Sequence, residues 1–202
     1  MRKSVLLLFA AALAMSPAIG EELHYLNPSD VAEAQRENAA LVEELGGAET
    51  GPRSAYVAAV GHRVGAYSGI ANPGQALHFT TLDSAVANAF SVPGGYVYVT
   101  RQLMALMNDE SQLAFALGHE VGHIAANHAH IREEYAERNS LGVFGQIVGA
   151  IFGPGAAGLL QARSVLDLLS FSREQEYEAD TLGIRYMIAA GYDPQGAVAV
   201  LA

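Results

Sequence analysis

The chain has 202 residues, a formal net charge of −10 at pH 7 and no cysteine. Hydrophobic residues make up 51% of it, which excludes a disordered or fibrous protein and is enough for one domain with a real core. Without cysteine, disulfides and thiolate metal sites are excluded, so a metal ion would have to bind His, Asp or Glu. An acidic chain without a basic patch is a poor partner for nucleic acid, and we predict no such partner.

Residues 1–20 have the layout of a secretory signal peptide. A positively charged start precedes an apolar run over residues 5–15, and small residues follow as far as Gly20. The apolar run is too short for an ordinary membrane span. Cleavage after Gly20 predicts a single exported domain over residues 21–202, with the periplasm as its location. The alternative is an uncleaved segment that keeps the protein associated with a membrane.

Two helices are predicted after this segment. The first begins at the capping residue Asn27 and runs to about Leu45, where a pair of glycines stops it. The second runs from about Ser54 to Tyr67, and His62 within it is predicted to be a surface residue. Four residues of the second helix are predicted to face a core: Tyr56, Val57, Val60 and Val64.

A small β-sheet is predicted next. Residues 76–82 alternate between the two faces of a strand, and residues 96–100 are a run of β-formers. The turn residues 93–95 precede the second of these runs, so the region forms either a hairpin or two strands of one sheet. A short helix over residues 101–107 then leads to the next helix, which places the strand 96–100 close to that helix.

The sequence His-Glu-Val-Gly-His occupies residues 119–123, on a helix predicted from Ser111 to about Glu137. Residues four apart lie on one face of a helix, so His119 and His123 can bind one zinc ion together. Glu120 lies beside them, where it can accept a proton from water. The alternative is a chance pattern on an ordinary amphipathic helix, whose buried face needs no histidine: Leu113, Leu117, Val121 and Ile124.

Two further histidines follow this motif. His128 and His130 lie five and seven residues beyond His123. On a continuous helix that turns about 100° per residue, His128 would point away from the other two histidines. Both are therefore predicted to be surface residues and not ligands.

Residues 141–160 are apolar and rich in glycine, with Gln146 as their one polar side chain. The Gly-Pro-Gly sequence at 153–155 favours two short apolar helices over a single membrane span. These helices would form either a buried hairpin or a mobile flap over the site that makes peripheral contact with a membrane.

A catalytic zinc ion generally has three protein ligands, so a third is needed here. A histidine later in an extended motif is excluded, because Ala126 and Ala129 occupy the required glycine and histidine positions. A later helix offers Glu176 and Asp180, which share a face because they are four residues apart. Glu176 can bind the metal, Asp180 can accept the free N–H of a ligand histidine, and Gly183 on that face lets two helices approach closely.

These motifs together resemble one family. The segments 88–90 and 93–96, the sequence at 119–123, and the group Ser172-Arg173 with Glu176 and Asp180 are similar to the HtpX and Ste24-type metallopeptidases, family forty-eight, in the gluzincin group. The resemblance covers residues 25–195 and implies an α+β, mainly α fold: an active-site helix bundle with a small β-sheet or hairpin. It implies one zinc ion on His119, His123 and Glu176, with Glu120 as the base and Asp180 orienting a ligand. It also favours a soluble, exported member.

The predicted function is zinc-dependent endopeptidase activity on unfolded or misassembled exported proteins, in envelope protein quality control. An extended substrate is expected to add a strand beside Tyr96, Val97 and Tyr98. The alternative is a zinc-containing, chaperone-like or peptide-binding module with little or no peptidase activity. Because the chain stops within an apolar run at 197–201, a C-terminal partner domain beyond this chain is also expected.

Overall fold

The structure is a computed structural model and describes residues 23–128 and 173–202. The predicted signal peptide at 1–20, His130 and the apolar segment at 141–160 lie outside these residues, so the statements about them remain predictions.

Helices dominate the described residues, together with one small sheet, and this confirms the α+β, mainly α fold. Within these ranges no helix is long and apolar enough to cross a membrane. In chain order the elements are α1 (Pro28–Glu44), α2 (Pro52–Gly65), α3 (Pro73–Ala76), β1 (His78–Leu82), β2 (Ala89–Val92), β3 (Tyr96–Thr100), α4 (Arg101–Leu106), α5 (Glu110–Ala125), α6 (Arg173–Ala189) and α7 (Gln195–Leu201).

The first helices begin and end close to their predicted positions. The Asn27 side chain accepts a hydrogen bond from the backbone N–H of Ser29, which caps α1. In α2 the core prediction was wrong for Tyr56, whose side chain is 40% exposed. Its hydroxyl donates to Glu110 at 3.1 Å, and partial burial together with this carboxylate raises the pKa of Tyr56 to about 12. His62 is exposed, as predicted.

The three strands are ordered β1-β3-β2, with β3 parallel to β1 and antiparallel to β2. The two predicted strands, β1 and β3, are therefore neighbours in one sheet, and the hairpin is formed by β3 with β2, which was not predicted as a strand. Its turn contains Gly94 and Gly95 with φ of 86° and 93°, a conformation that favours glycine. A Cβ atom on Gly95 would also collide with the carbonyl oxygen of Ala76.

This strand order corrects the predicted substrate strand. β3 is the central strand, it is paired on both sides and its five residues are all buried. Tyr96, Val97 and Tyr98 therefore cannot accept an additional strand. The two edge strands of the sheet are β1 and β2.

The core lies on both faces of the sheet because the side chains of β3 alternate. Val97 and Val99 pack with residues of α2, α5 and α6 in the larger cluster. Tyr96 and Tyr98 pack against α1 in the smaller one, where the Tyr98 hydroxyl donates to Asn38 at 2.7 Å. The sheet thus lies between α1 and the helices that carry the predicted metal ligands.

The helix α5 is shorter than predicted. It ends at Ala125, and not near residue 137, because Asn127 adopts a left-handed backbone conformation with φ of 56°. Asn is one of the few residues that adopt this conformation readily. The chain turns at this point, and this turn decides where His128 lies.

Candidate metal centre

The side chains of the three predicted ligands meet where α5 and α6 pack with glycine against the facing backbone. Gly183 of α6 faces the α5 backbone: a Cβ atom there would lie 2.8 Å from the backbone nitrogen of His119 and 3.1 Å from the carbonyl carbon of Gly118. Gly122 makes a similar approach to Ala179. The close approach predicted at Gly183 is therefore confirmed, and it brings the polar stripes of the two helices within reach of each other.

Three predicted ligands converge at this crossing. The Nε2 atoms of His119 and His123 are 3.0 Å apart, and they lie 3.6 Å and 3.7 Å from the two carboxylate oxygens of Glu176. Zinc with ligand distances of about 2.0–2.1 Å in tetrahedral geometry holds its ligand atoms roughly 3.3 Å apart. The triangle is close to that size, so the three side chains could hold a metal ion.

The proton arrangement on His119 also suits a metal ligand. Its Nδ1 lies 2.9 Å from Oδ1 of Asp180. A carboxylate only accepts hydrogen bonds, so Nδ1 carries the proton and donates it. The other nitrogen, Nε2, then has a free lone pair that points toward His123 and Glu176. Asp180 thus lies beside His119, one of the two histidines predicted to bind the metal.

His128 corrects the prediction that it is a surface residue. Its side chain is 1% exposed, and its Nδ1 lies 2.9 Å from Nδ1 of His123. Its Nε2 lies 3.3 Å from Oε2 of Glu178 on α6. The prediction failed because it extended α5 beyond the turn at Asn127. An asparagine directly before the histidine was the available signal of that turn.

The side chain of Glu120 lies between α5 and the edge of the sheet. Glu120 is 9% exposed, and its Oε2 accepts a hydrogen bond of 2.9 Å from the hydroxyl of Ser91. Ser91 lies on β2 and was not singled out from the sequence, although it alternates with buried neighbours as an edge-strand residue does. The contact fixes one carboxylate oxygen and orients the group between strand and helix.

The charges of the region favour a cation. Three carboxylates lie beside the three imidazoles: Glu176 beside His119 and His123, Asp180 beside His119, and Glu178 beside His128. A divalent cation between them would compensate this negative charge.

A cavity of about 360 Å³ opens beside the centre. It lies between residues 23–27, the end of β2 and the end of α5, and Ser91 and His123 contribute to its lining.

Two histidines on one helix and a glutamate on a second helix thus form a group that could hold a metal ion at a helix crossing. The chain belongs to peptidase family M48, whose family model matches residues 52–201. This membership confirms the family resemblance found in the sequence.

Several characterised relatives are similar to the chain. One is the protein named Beta-barrel assembly-enhancing protease of Escherichia coli strain K12, 32% identical over 127 residues, which are 58% of this chain and 26% of that protein. Another is the Mitochondrial metalloendopeptidase OMA1 of Schizosaccharomyces pombe, 32% identical over 146 residues, which are 72% of this chain and 42% of that protein. The chain thus matches well under half the length of these relatives.

Proposed function

We propose that the protein is a zinc-dependent endopeptidase. The observation that carries this proposal is the convergence of His119, His123 and Glu176 beside a buried carboxylate, Glu120. Two imidazoles and one carboxylate are a typical ligand set of catalytic zinc sites, which bind one ion and leave a position for the reactants. When bound, zinc supplies Lewis acidity that polarises a peptide carbonyl and lowers the pKa of water.

Glu120 is the proton carrier in this proposal. Its Oε2 accepts a hydrogen bond from the Ser91 hydroxyl, which orients the carboxylate, and this carboxylate takes a proton from the attacking water. The same carboxyl group then gives that proton to the nitrogen of the cleaved peptide bond. The contact with Ser91 keeps the carboxylate oriented through both transfers.

The substrate in this proposal is an extended segment of an unfolded or misassembled exported protein. β2 is an edge strand, and its Ser91 contacts Glu120, so an added strand there would run next to the proposed base. At the opposite edge Ala48 already bridges to Leu82 of β1, which leaves β2 as the more open edge. Several relatives are named for assembly of β-barrels, which supports a role in envelope quality control.

The location is proposed from the sequence. The signal pattern at 1–20 supports export to the periplasm, and the apolar segment at 141–160 supports peripheral contact with a membrane. Cosedimentation of the purified protein with liposomes tests the membrane contact, and a protein that stays in the supernatant would contradict it.

The test of the function is cleavage of casein, an unfolded protein, by the zinc-loaded protein. Glu120→Gln should lower the rate by about 100-fold or more, because the amide cannot accept the proton, while the zinc content stays the same. Glu174→Gln, an exposed position on α6, is the matched control and should keep the parent rate. Equal cleavage by Glu120→Gln and parent would contradict the proposed base. No cleavage by a zinc-loaded parent would favour the peptide-binding module instead.

A further inference from the structure

The two histidine ligands have different partners on their second nitrogens. His119 contacts the carboxylate of Asp180, whose side chain is 27% exposed. His123 contacts another imidazole, His128, and both of these side chains are almost fully buried, at 3% and 1% exposed. A buried polar group depends on its protein partner because water cannot easily replace it.

The contacts of His128 determine where the protons lie. Its Nε2 is 3.3 Å from Oε2 of Glu178, and since a carboxylate only accepts, this nitrogen carries the proton of the neutral ring. Its Nδ1 then has a lone pair, which faces Nδ1 of His123 at 2.9 Å. His123 must therefore donate from Nδ1, and this leaves its Nε2 without a proton, facing Glu176 at 3.7 Å.

The opposite arrangement would be unfavourable for a metal site. If His128 donated from Nδ1, the neutral ring would face Glu178 with a lone pair, and two acceptors would oppose each other at 3.3 Å. His123 would then carry its proton on Nε2, the atom that a metal needs. Glu178 thus favours the tautomer of His123 that can bind a metal, and it acts through His128, which contacts both residues.

We propose that His128 is a positioning residue that holds the ring and the tautomer of His123, with Glu178 orienting His128 in turn. This inference rests on the proposed metal site and adds a second route by which α6 acts on α5, from the exposed Glu178 through the buried His128. Substitution of a residue that orients a ligand histidine typically weakens metal binding by about 10- to 100-fold.

The test compares two substitutions of similar size. His128→Leu removes the acceptor, whereas His128→Asn keeps a carbonyl oxygen near the position of Nδ1. Zinc affinity is measured by competition with a chromophoric chelator. We expect His128→Leu to weaken zinc binding by about 10- to 100-fold and His128→Asn to stay within about threefold of the parent. His62→Asn, an exposed histidine on α2, is the control and should not change the affinity.

A second readout does not depend on substitution or on activity. In the zinc-loaded parent at about pH 8, where free imidazole is neutral, nitrogen-15 NMR should show the proton of His128 on Nε2, the nitrogen that faces Glu178. His128 protonated on Nδ1 in the zinc-loaded parent would overturn the proposal even if a variant failed to fold. Parent-like zinc affinity in a folded His128→Leu protein would overturn it as well.

The outcomes also separate this inference from the proposed function. A parent that binds zinc and shows the expected protons but does not cleave casein contradicts the peptidase and supports the positioning role. A parent that binds no zinc contradicts the metal site and, with it, the role of His128.

Discussion

The helix crossing and the sheet edge contribute to the site in different ways. The crossing of α5 and α6 carries His119, His123 and Glu176, and it is held by backbone contact at Gly183. The sheet edge reaches the site through a side-chain hydrogen bond, from Ser91 to Glu120. We infer that the metal geometry depends on the crossing, while the sheet orients the base and the substrate.

The largest effect is expected where the crossing itself is disturbed. Gly183→Ala places a methyl group 2.8 Å from the backbone nitrogen of His119, and neither backbone can move without separating the helices. We expect a loss of about 2 kcal/mol or more in the free energy of unfolding, measured by urea denaturation, together with weaker zinc binding.

The control for this substitution is Gly74→Ala. A Cβ atom there meets nothing within 4 Å, so its free energy of unfolding should change little. A Gly183→Ala protein as stable as Gly74→Ala would show that the crossing is looser than the structure indicates.

An intermediate effect is expected at the sheet edge. Ser91→Ala removes the hydrogen bond to Glu120, and a bond to a charged group is worth about 1.5–3 kcal/mol, so casein cleavage should fall roughly tenfold or more. Zinc affinity should not change, because the hydrogen bond of Ser91 is made to Glu120 and not to a proposed ligand.

The control is Ser54→Ala on α2, which should keep the parent rate. Weaker zinc binding by the Ser91→Ala protein would contradict the inference that the metal geometry depends on the helix crossing alone.

The smallest effect concerns His78 on β1, stacked on Tyr96 with ring centroids 4.5 Å apart. Partial burial, and then repulsion from His62, lower the pKa of His78 below its ordinary value of 6.5. Below pH 6.5 the His78 side chain is therefore protonated more fully in the unfolded chain than in the folded protein. The free energy of unfolding thus decreases as the pH drops from 6.5 toward the lowered pKa. Proton NMR should give a midpoint below 6.5 that zinc does not move; a shift on zinc binding would connect the sheet to the metal.

The parts of the site that local periodicity determines could be predicted from the sequence. His119 and His123, and likewise Glu176 and Asp180, are four residues apart, and one helical turn is enough to place each pair on a single face. Gly183 indicated a close crossing because its missing side chain has no other role on that face.

The parts that failed depend on contacts distant in the sequence or on one backbone angle. The order β1-β3-β2 makes Tyr96–Thr100 a central strand. The sequence of this strand does not show its position, because a run of apolar β-formers is compatible with a central strand and with an edge strand. His128 was misplaced because the left-handed residue Asn127 ends α5, and His128 then lies beside Glu178 of α6. A helix pattern alone does not show such a turn.

The most direct measurement of the central claim is an anomalous difference map, collected at the zinc edge, from crystals of the zinc-loaded protein. The account predicts one strong peak per chain, bounded by Nε2 of His119, Nε2 of His123 and the carboxylate of Glu176. A zinc-loaded chain with its peak elsewhere, or with Glu176 turned away from the peak, would contradict it.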